Sequence, residues 1–156
     1  RAQHYVPLTR VFVLSSKLQI GWGDGFGSFN NLPFFQNYFA GGTRSVRGYR
    51  DFSLGPRDSR NDPLGGSFKT VGNMEIVFPP PFMSGSTSVR LSLFYDVGNV
   101  FASTQAFSAN DLRMSAGLAA VWLSPVGPLS ISVAQAFNDQ ENDNTQLFQF
   151  NLGTGF

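Results

Sequence analysis

A chain of 156 residues with a net charge of +1 and 13% charged residues has neither a basic face for nucleic acid nor an acidic solvating tail. The absence of cysteine excludes a disulfide framework and a thiolate metal centre. No apolar run reaches about eighteen residues, so a transmembrane helix is excluded and a membrane location would require a barrel. The first residue is Arg1 rather than Met, which leads us to expect a piece of a longer chain that holds one domain at most. Phe and Gly each number 17, a balance that suits pleated strands joined by turns.

In chain order, Arg1–Leu8 reads as the tail of a strand that Pro7 ends. From Phe12 to Trp22 one parity carries Phe12, Leu14, Leu18, Ile20 and Trp22, and the other carries Ser15, Lys17 and Gln19. Residues 24–66 form a long loop rich in Gly, Asn and Pro. Alternation returns with Phe68, Met74, Ile76 and Phe78 against Lys69, Asn73 and Glu75. It continues with Val89, Leu91, Leu93, Tyr95 and Val97 against Arg90, Ser92 and Asp96. Leu112, Met114, Ala116, Leu118 and Trp122 oppose Arg113 and Ser115, and Leu129, Ile131, Val133 and Phe137 oppose Ser130 and Ser132. The last segment sets Phe148, Phe150, Leu152 and Phe156 against Gln149, Asn151 and Gly153.

The charged residues of these segments are Lys17, Lys69, Glu75, Arg90, Asp96 and Arg113, and all fall on the less apolar parity. A Lys or Arg on a lipid-facing position near the bilayer midplane costs about 2–4 kcal/mol, so a membrane barrel needs this sorting. A soluble sandwich or lipocalin-like barrel merely permits it, with the apolar parity turned inward. Connections alternate as long, short, long, short, long through 24–66, Pro79–Thr87, 102–111, Ser124–Pro128 and Asn138–Asn144. The expected fold is therefore all-β, an antiparallel transmembrane barrel of the outer-membrane type.

Candidate chemistry is sparse. Gly21-Trp22-Gly23-Asp24-Gly25-Phe26-Gly27 has the glycines of a phosphate cradle but no following helix, and reads as the entrance to the loop. Asp139-Gln140-Glu141-Asn142-Asp143 lacks the spacing of a calcium hand and reads as a solvated loop. The only histidine is His4, and no Gly-x-Ser-x-Gly elbow occurs. We expect no enzyme, no cofactor and no metal.

Two motifs are more informative. The end of the chain, Gln149 to Phe156, alternates and closes on an aromatic residue, like the C-terminal assembly signal of outer-membrane barrels. Inside the long loop stands Val46-Arg47-Gly48-Tyr49-Arg50, preceded by Phe39-Ala40-Gly41-Gly42 and followed by Leu54-Gly55-Pro56. Taken alone, Arg44, Arg47 and Arg50 would be solvated charges worth about 0–1 kcal/mol each if paired.

With these motifs the chain resembles the BamA family of outer-membrane assembly factors. The likeness runs on through Asn73-Met74-Glu75, Phe94-Tyr95-Asp96-Val97-Gly98, Arg113-Met114-Ser115-Ala116-Gly117 and Ser124-Pro125-Val126-Gly127-Pro128 into the final strand. The resemblance implies a bacterial outer-membrane barrel of about sixteen strands, of which 1–156 would be the C-terminal six or seven. It implies that loop 24–66 folds into the lumen, with Val46, Arg47, Gly48 and Tyr49 as its motif and Glu75 and Asp96 as acidic partners of Arg47. Glu75 and Asp96 share the polar parity of adjacent segments, so both project to one face.

The activity implied is insertion of other barrel proteins at a seam between first and last strands. Residues 145–156 would form one side of it, with Phe148, Phe150, Leu152 and Phe156 in the strand and Gly153 a point of fraying. Membrane lipid, client outer-membrane proteins and accessory lipoproteins are the implied partners, with no nucleic acid. The isolated chain, with two open edges, is expected to self-associate. An export barrel of the same superfamily, serving a partner protein or a patatin-like lipase, and a passive porin are the alternatives.

Overall fold

In the computed structural model, residues 1–25, 32–81, 88–125 and 127–153 are described. Seven strands form one antiparallel meander in the order of the chain: β1 (Ala2–Pro7), β2 (Val13–Trp22), β3 (Phe68–Phe78), β4 (Val89–Phe101), β5 (Arg113–Ser124), β6 (Gly127–Phe137) and β7 (Phe148–Leu152). Each strand pairs with its sequence neighbours, and β1 and β7 are the two edges of the sheet. No helix among the described residues is long and apolar enough to cross a membrane.

The register makes the two faces chemically distinct. On one face Leu14, Ile76, Leu93, Leu118, Val133 and Phe148 lie side by side across six strands. Leu93, Leu118, Val133 and Phe148 are each about half exposed. On the other face the matching row is Ser15, Glu75, Phe94, Gly117 and Ala134, and the next row is Lys17, Asn73, Asp96, Ser115 and Ala136. A period of two thus sends every large aliphatic residue of the first row outward and every strand charge inward.

Aromatic residues collect near the ends of the outward face. Phe68, Phe101 and Phe107 pack with centroids 5.2–6.2 Å apart at the level of Trp22. Phe12 meets Phe78 at the other end. Two aromatic girdles flanking an apolar band are what a bilayer crossing by strands requires.

The buried core lies between loop and sheet rather than between two sheets. Ala40, Val46, Tyr49 and Leu54 of the loop close on Val71 of β3 and Val100 of β4, with Ala136 of β6 alongside. Apolar contact is thus made on the face that also carries the charges, while Leu18, Ile20, Met74, Leu93 and Leu118 of the outward face stay about half exposed.

Several boundaries differ from the alternation pattern. The connections 79–88 and 102–112 are each one residue longer than expected and almost equal in length, so the pair does not show a short connection against a long one. Within the described part of 145–156 the final strand occupies Phe148–Leu152, and Gly153, at φ +118°, still donates its N–H to the Pro128 carbonyl of β6. Residues 144–146 pair instead with the loop. Phe156, Phe26 and Gly27 lie outside the described residues.

Replacing Leu93 with Arg should destabilise the protein in a bilayer by about 2–4 kcal/mol, read as a shifted denaturant midpoint in lipid vesicles. In a water-facing sheet the same change at an exposed leucine would cost less than about 0.5 kcal/mol, and that result would remove the membrane reading of this face.

Candidate functional site

The described stretch 32–66 of the loop reaches the inner face because its turns are built for close approach. Gly41 has φ +104°, and a Cβ there would stand 2.4 Å from the Arg50 carbonyl oxygen. The turn is closed by Ser45, whose Oγ accepts from the Gly41 N–H at 2.8 Å, and by the Gly42 N–H donating to the Val46 carbonyl. Short bridges, Tyr38 with Gly66 and Ala40 with Leu54, fold the loop back upon itself.

Polar side chains of the inner face receive the loop backbone. Gln19 Nε2 of β2 donates to the Arg44 carbonyl, Lys69 Nζ of β3 to the Phe39 carbonyl and Asn73 Nδ2 to the Ser45 carbonyl. An irregular segment buried against a wall must have its carbonyls satisfied, and these donors do so without a regular ladder.

The structure brings Arg47, Glu75 and Asp96 together. Arg47 Nε and Nη2 donate to the two Asp96 carboxylate oxygens at 2.8 and 2.9 Å, a bidentate fork, and the Arg47 backbone N–H donates to the same carboxylate at 3.1 Å. Arg47 Nη1 donates to Glu75 Oε1 at 3.1 Å. Asn73 Nδ2 supplies Asp96 with a further donor at 2.8 Å, and Ser92 Oγ donates to Glu75. The Asp96 side chain is fully buried and that of Arg47 only 12% exposed.

Register explains the fit. Asp96 faces Asn73 and Glu75 faces Phe94, so the carboxylates lie diagonally across β3 and β4 with Phe94 between them. The guanidinium spans the diagonal with Cζ 3.5 Å from the Phe94 ring centroid, a cation–π contact beneath the ion pairs. Burial alone would lower the Arg47 pKa, but the hydrogen bond and charge of Asp96, then Glu75, outweigh it and hold the group above its ordinary value. Arg47 stays a cation. Arg44 and Arg50 are exposed.

Next to Arg47 the motif continues across the sheet. Gly48, at φ +84°, lies flat over β5 and β6, where a Cβ would come 3.1 Å from Ala134 Cβ and 3.3 Å from Ser115 Cβ. Tyr49 is fully buried, and its hydroxyl lies 2.9 Å from the Phe137 carbonyl and 3.2 Å from that of Met114. Burial raises the phenol's pKa, helped by Asp143 and Asp139, so it stays protonated as a donor. Residues 144–146 form a short antiparallel pairing with the motif: Arg50 N–H donates to Asn144 C=O and Gln146 N–H to Gly48 C=O.

Composition and parity did not single out Phe94, Asn73, Gln149 or the pair formed by Arg113 and Asp143. Asp143 belongs to the stretch read as a solvated loop, yet its side chain is buried on Arg113. The reason is the fold: β5 begins beside the 138–147 connection, and Arg113 Nε donates to Asp143 while its Nη1 donates to the Asp111 carbonyl. The signal available was that Phe94 and Gln149 occupy the inward parity. Among the described residues no three His, Asp or Glu side chains cluster to share a cation.

An antiparallel meander with an apolar, girdled outer face and a loop pinned to its polar inner face defines a segment of outer-membrane β-barrel wall. The chain belongs to the Omp85 superfamily, whose domain matches residues 1–156. It is 34% identical, over 97% of its length, to the outer membrane protein assembly factor BamA of Neisseria meningitidis serogroup B, of which it spans 23%. A SAM50-like protein of Schizosaccharomyces pombe is 28% identical over 76% of the chain, which spans 26% of that relative. Among solved structures, BamA from Haemophilus ducreyi lacking POTRA domains 1–3 superposes with a TM-score of 0.85 at 30% identity, over 95% of this chain and 32% of that one.

Arg47→Ala would leave Asp96 buried without its cation, and removing one partner of a buried pair costs about 3–5 kcal/mol. The expected readout is loss of protease protection across 44–50. Arg47→Lys should protect only in part, because a point charge cannot reproduce the fork; full protection in Arg47→Ala would remove the anchor role.

Proposed function

We propose that residues 1–156 are strands of one outer-membrane barrel domain whose parent protein folds and inserts other β-barrel proteins, with loop 24–66 folded into the lumen and β7 at the seam where a client strand adds. The observation that carries this reading is the state of β7. Among the described residues it has five, against ten to thirteen in β2 to β6, and its ladder with β6 runs from Leu129 to Val133, with one further bond at each end, Gly153 N–H to Pro128 C=O and Ala134 N–H to Leu147 C=O. Beyond the Ala134 bond, residues 135–137 of β6 pair with no strand of the described residues on that side. Backbone groups left open in hydrocarbon cost several kcal/mol each, enough to draw in a partner strand. Addition of a strand to an exposed edge needs no nucleotide, metal or covalent step.

The relatives named assembly factors match 71–97% of this chain, which supports insertion over export or passive conduction. On this reading Arg47, Glu75 and Asp96 set the loop, and Phe148, Phe150, Leu152 and Gly153 form the working edge, with Phe156 completing an assembly signal. Client barrel proteins, membrane lipid and accessory lipoproteins are the partners. The site chemistry calls for no cofactor.

Single cysteines placed along 148–152 of the intact protein in its membrane should form disulfides with cysteines in the terminal strand of a stalled client. The expected result is register-specific cross-linking that client release abolishes. A client that crosses without touching β7, or cross-links that ignore register, would overturn the insertase reading.

A further inference from the structure

We propose that Gln149 is a positioning residue that latches the last strand to the loop, so that loop docking sets how firmly β7 is held. The motif peptide Gly48–Tyr49 is gripped from two directions. On one side, 144–146 pair with Gly48 and Arg50 through the backbone. The groups left over, the Gly48 N–H and the Tyr49 C=O, meet the carboxamide of Gln149. Its Oε1 accepts from Gly48 N–H at 3.3 Å, and its Nε2 donates to Tyr49 C=O at 2.7 Å. The side chain thus supplies one acceptor and one donor, the same pair that a neighbouring strand would offer.

Gln149 is well placed for this and little else. It lies on the inward parity of β7, is 4% exposed, and sits opposite Ser132 of β6. β7 pairs with β6 along one edge only in this sheet, and its outward residues Phe148, Phe150 and Leu152 are exposed. The inner face of β7 is therefore tied down chiefly through Gln149. Three consecutive motif residues then span the sheet: Arg47 on β3 and β4, Gly48 over β5 and β6, Tyr49 at the mouth between β5 and β6, and the Gly48–Tyr49 peptide on β7. A pull on Arg47 is felt at β7 because no slack residue separates the contacts. The consequence for strand addition rests on β7 being the working edge, but the latch itself does not.

The test is hydrogen exchange, read by mass spectrometry on the intact protein in lipid bilayers. Gln149→Met keeps the length of the side chain and removes both hydrogen bonds. It should speed exchange at 46–50 and 148–152 by about ten-fold, and leave Phe68–Phe78 and Val89–Phe101 unchanged. Gln149→Ala should do the same, and if that variant fails to assemble, the methionine variant carries the test. Arg47→Ala should also speed exchange at 148–152, and adding Gln149→Met to it should produce no further change, because the loop is already released. Unchanged exchange at 148–152 in Gln149→Met, or additive effects in the double variant, would overturn the latch. A latched β7 in a protein that fails to cross-link client strands would sink the insertase reading alone.

Discussion

Everything on the inner face is arranged around one buried carboxylate. Asp96 has no access to water and accepts from Arg47 three times and from Asn73 once. A carboxylate in that position is tolerable only while those donors stay in place. Removing two charges from water costs about as much as their attraction returns, so the pair adds little net stability. What it supplies is selectivity: among the loop arginines only Arg47 makes the fork, and any register shift of the loop strands the charge. Glu75 and Phe94 narrow the choice further, since a planar cation is needed to stack and to bridge at once.

Outward and inward faces solve opposite problems. Outward, the row from Leu14 to Phe148 is apolar because lipid offers no hydrogen bonds. Inward, the wall cannot be apolar, because it must take in a loop whose backbone has no ladder of its own. Gln19, Lys69, Asn73 and Gln149 serve as detached donors for that backbone, and Val71 and Val100 give its few apolar side chains somewhere to close. Small residues matter as much as polar ones. Ser115 and Ala134 leave room for Gly48 to lie against the sheet, and Gly117 leaves room for the Phe94 ring, which larger side chains would prevent.

Strand positions and facing were legible because a period of two is a local property. Lys17, Glu75, Asp96 and Arg113 could each be assigned to one face from immediate neighbours alone. Strand ends were less legible: alternation marked β4 as far as Val97, and pairing with Lys69 and Phe68 carries it through Val100 and Phe101. In the site, parity put Glu75 and Asp96 on a common face, and family likeness supplied the loop arginine. Phe94 was hidden because an aromatic on a polar parity looks like an exception to the pattern. Its use is visible only once Arg47, distant in sequence, lies above it. Asp143 was hidden for the same kind of reason, its partner Arg113 lying across a connection whose path composition does not fix.

The sheet therefore has a gradient of restraint running from β3 to β7. At β3 and β4 the loop is held by charge-assisted bonds to a buried carboxylate, and at β5 and β6 by a fully buried tyrosine and a glycine fitted to a shallow floor. At β7 the hold is reduced to a neutral carboxamide and a short backbone pairing, the weakest class of contact in the series. Local opening begins where few buried apolar contacts and neutral hydrogen bonds are all that resist it. A loop fixed at one end by Arg47 and lightly attached at the other can let β7 move without leaving the wall itself. That asymmetry is what a barrel needs if one strand is to exchange partners while the remainder stays closed to the membrane.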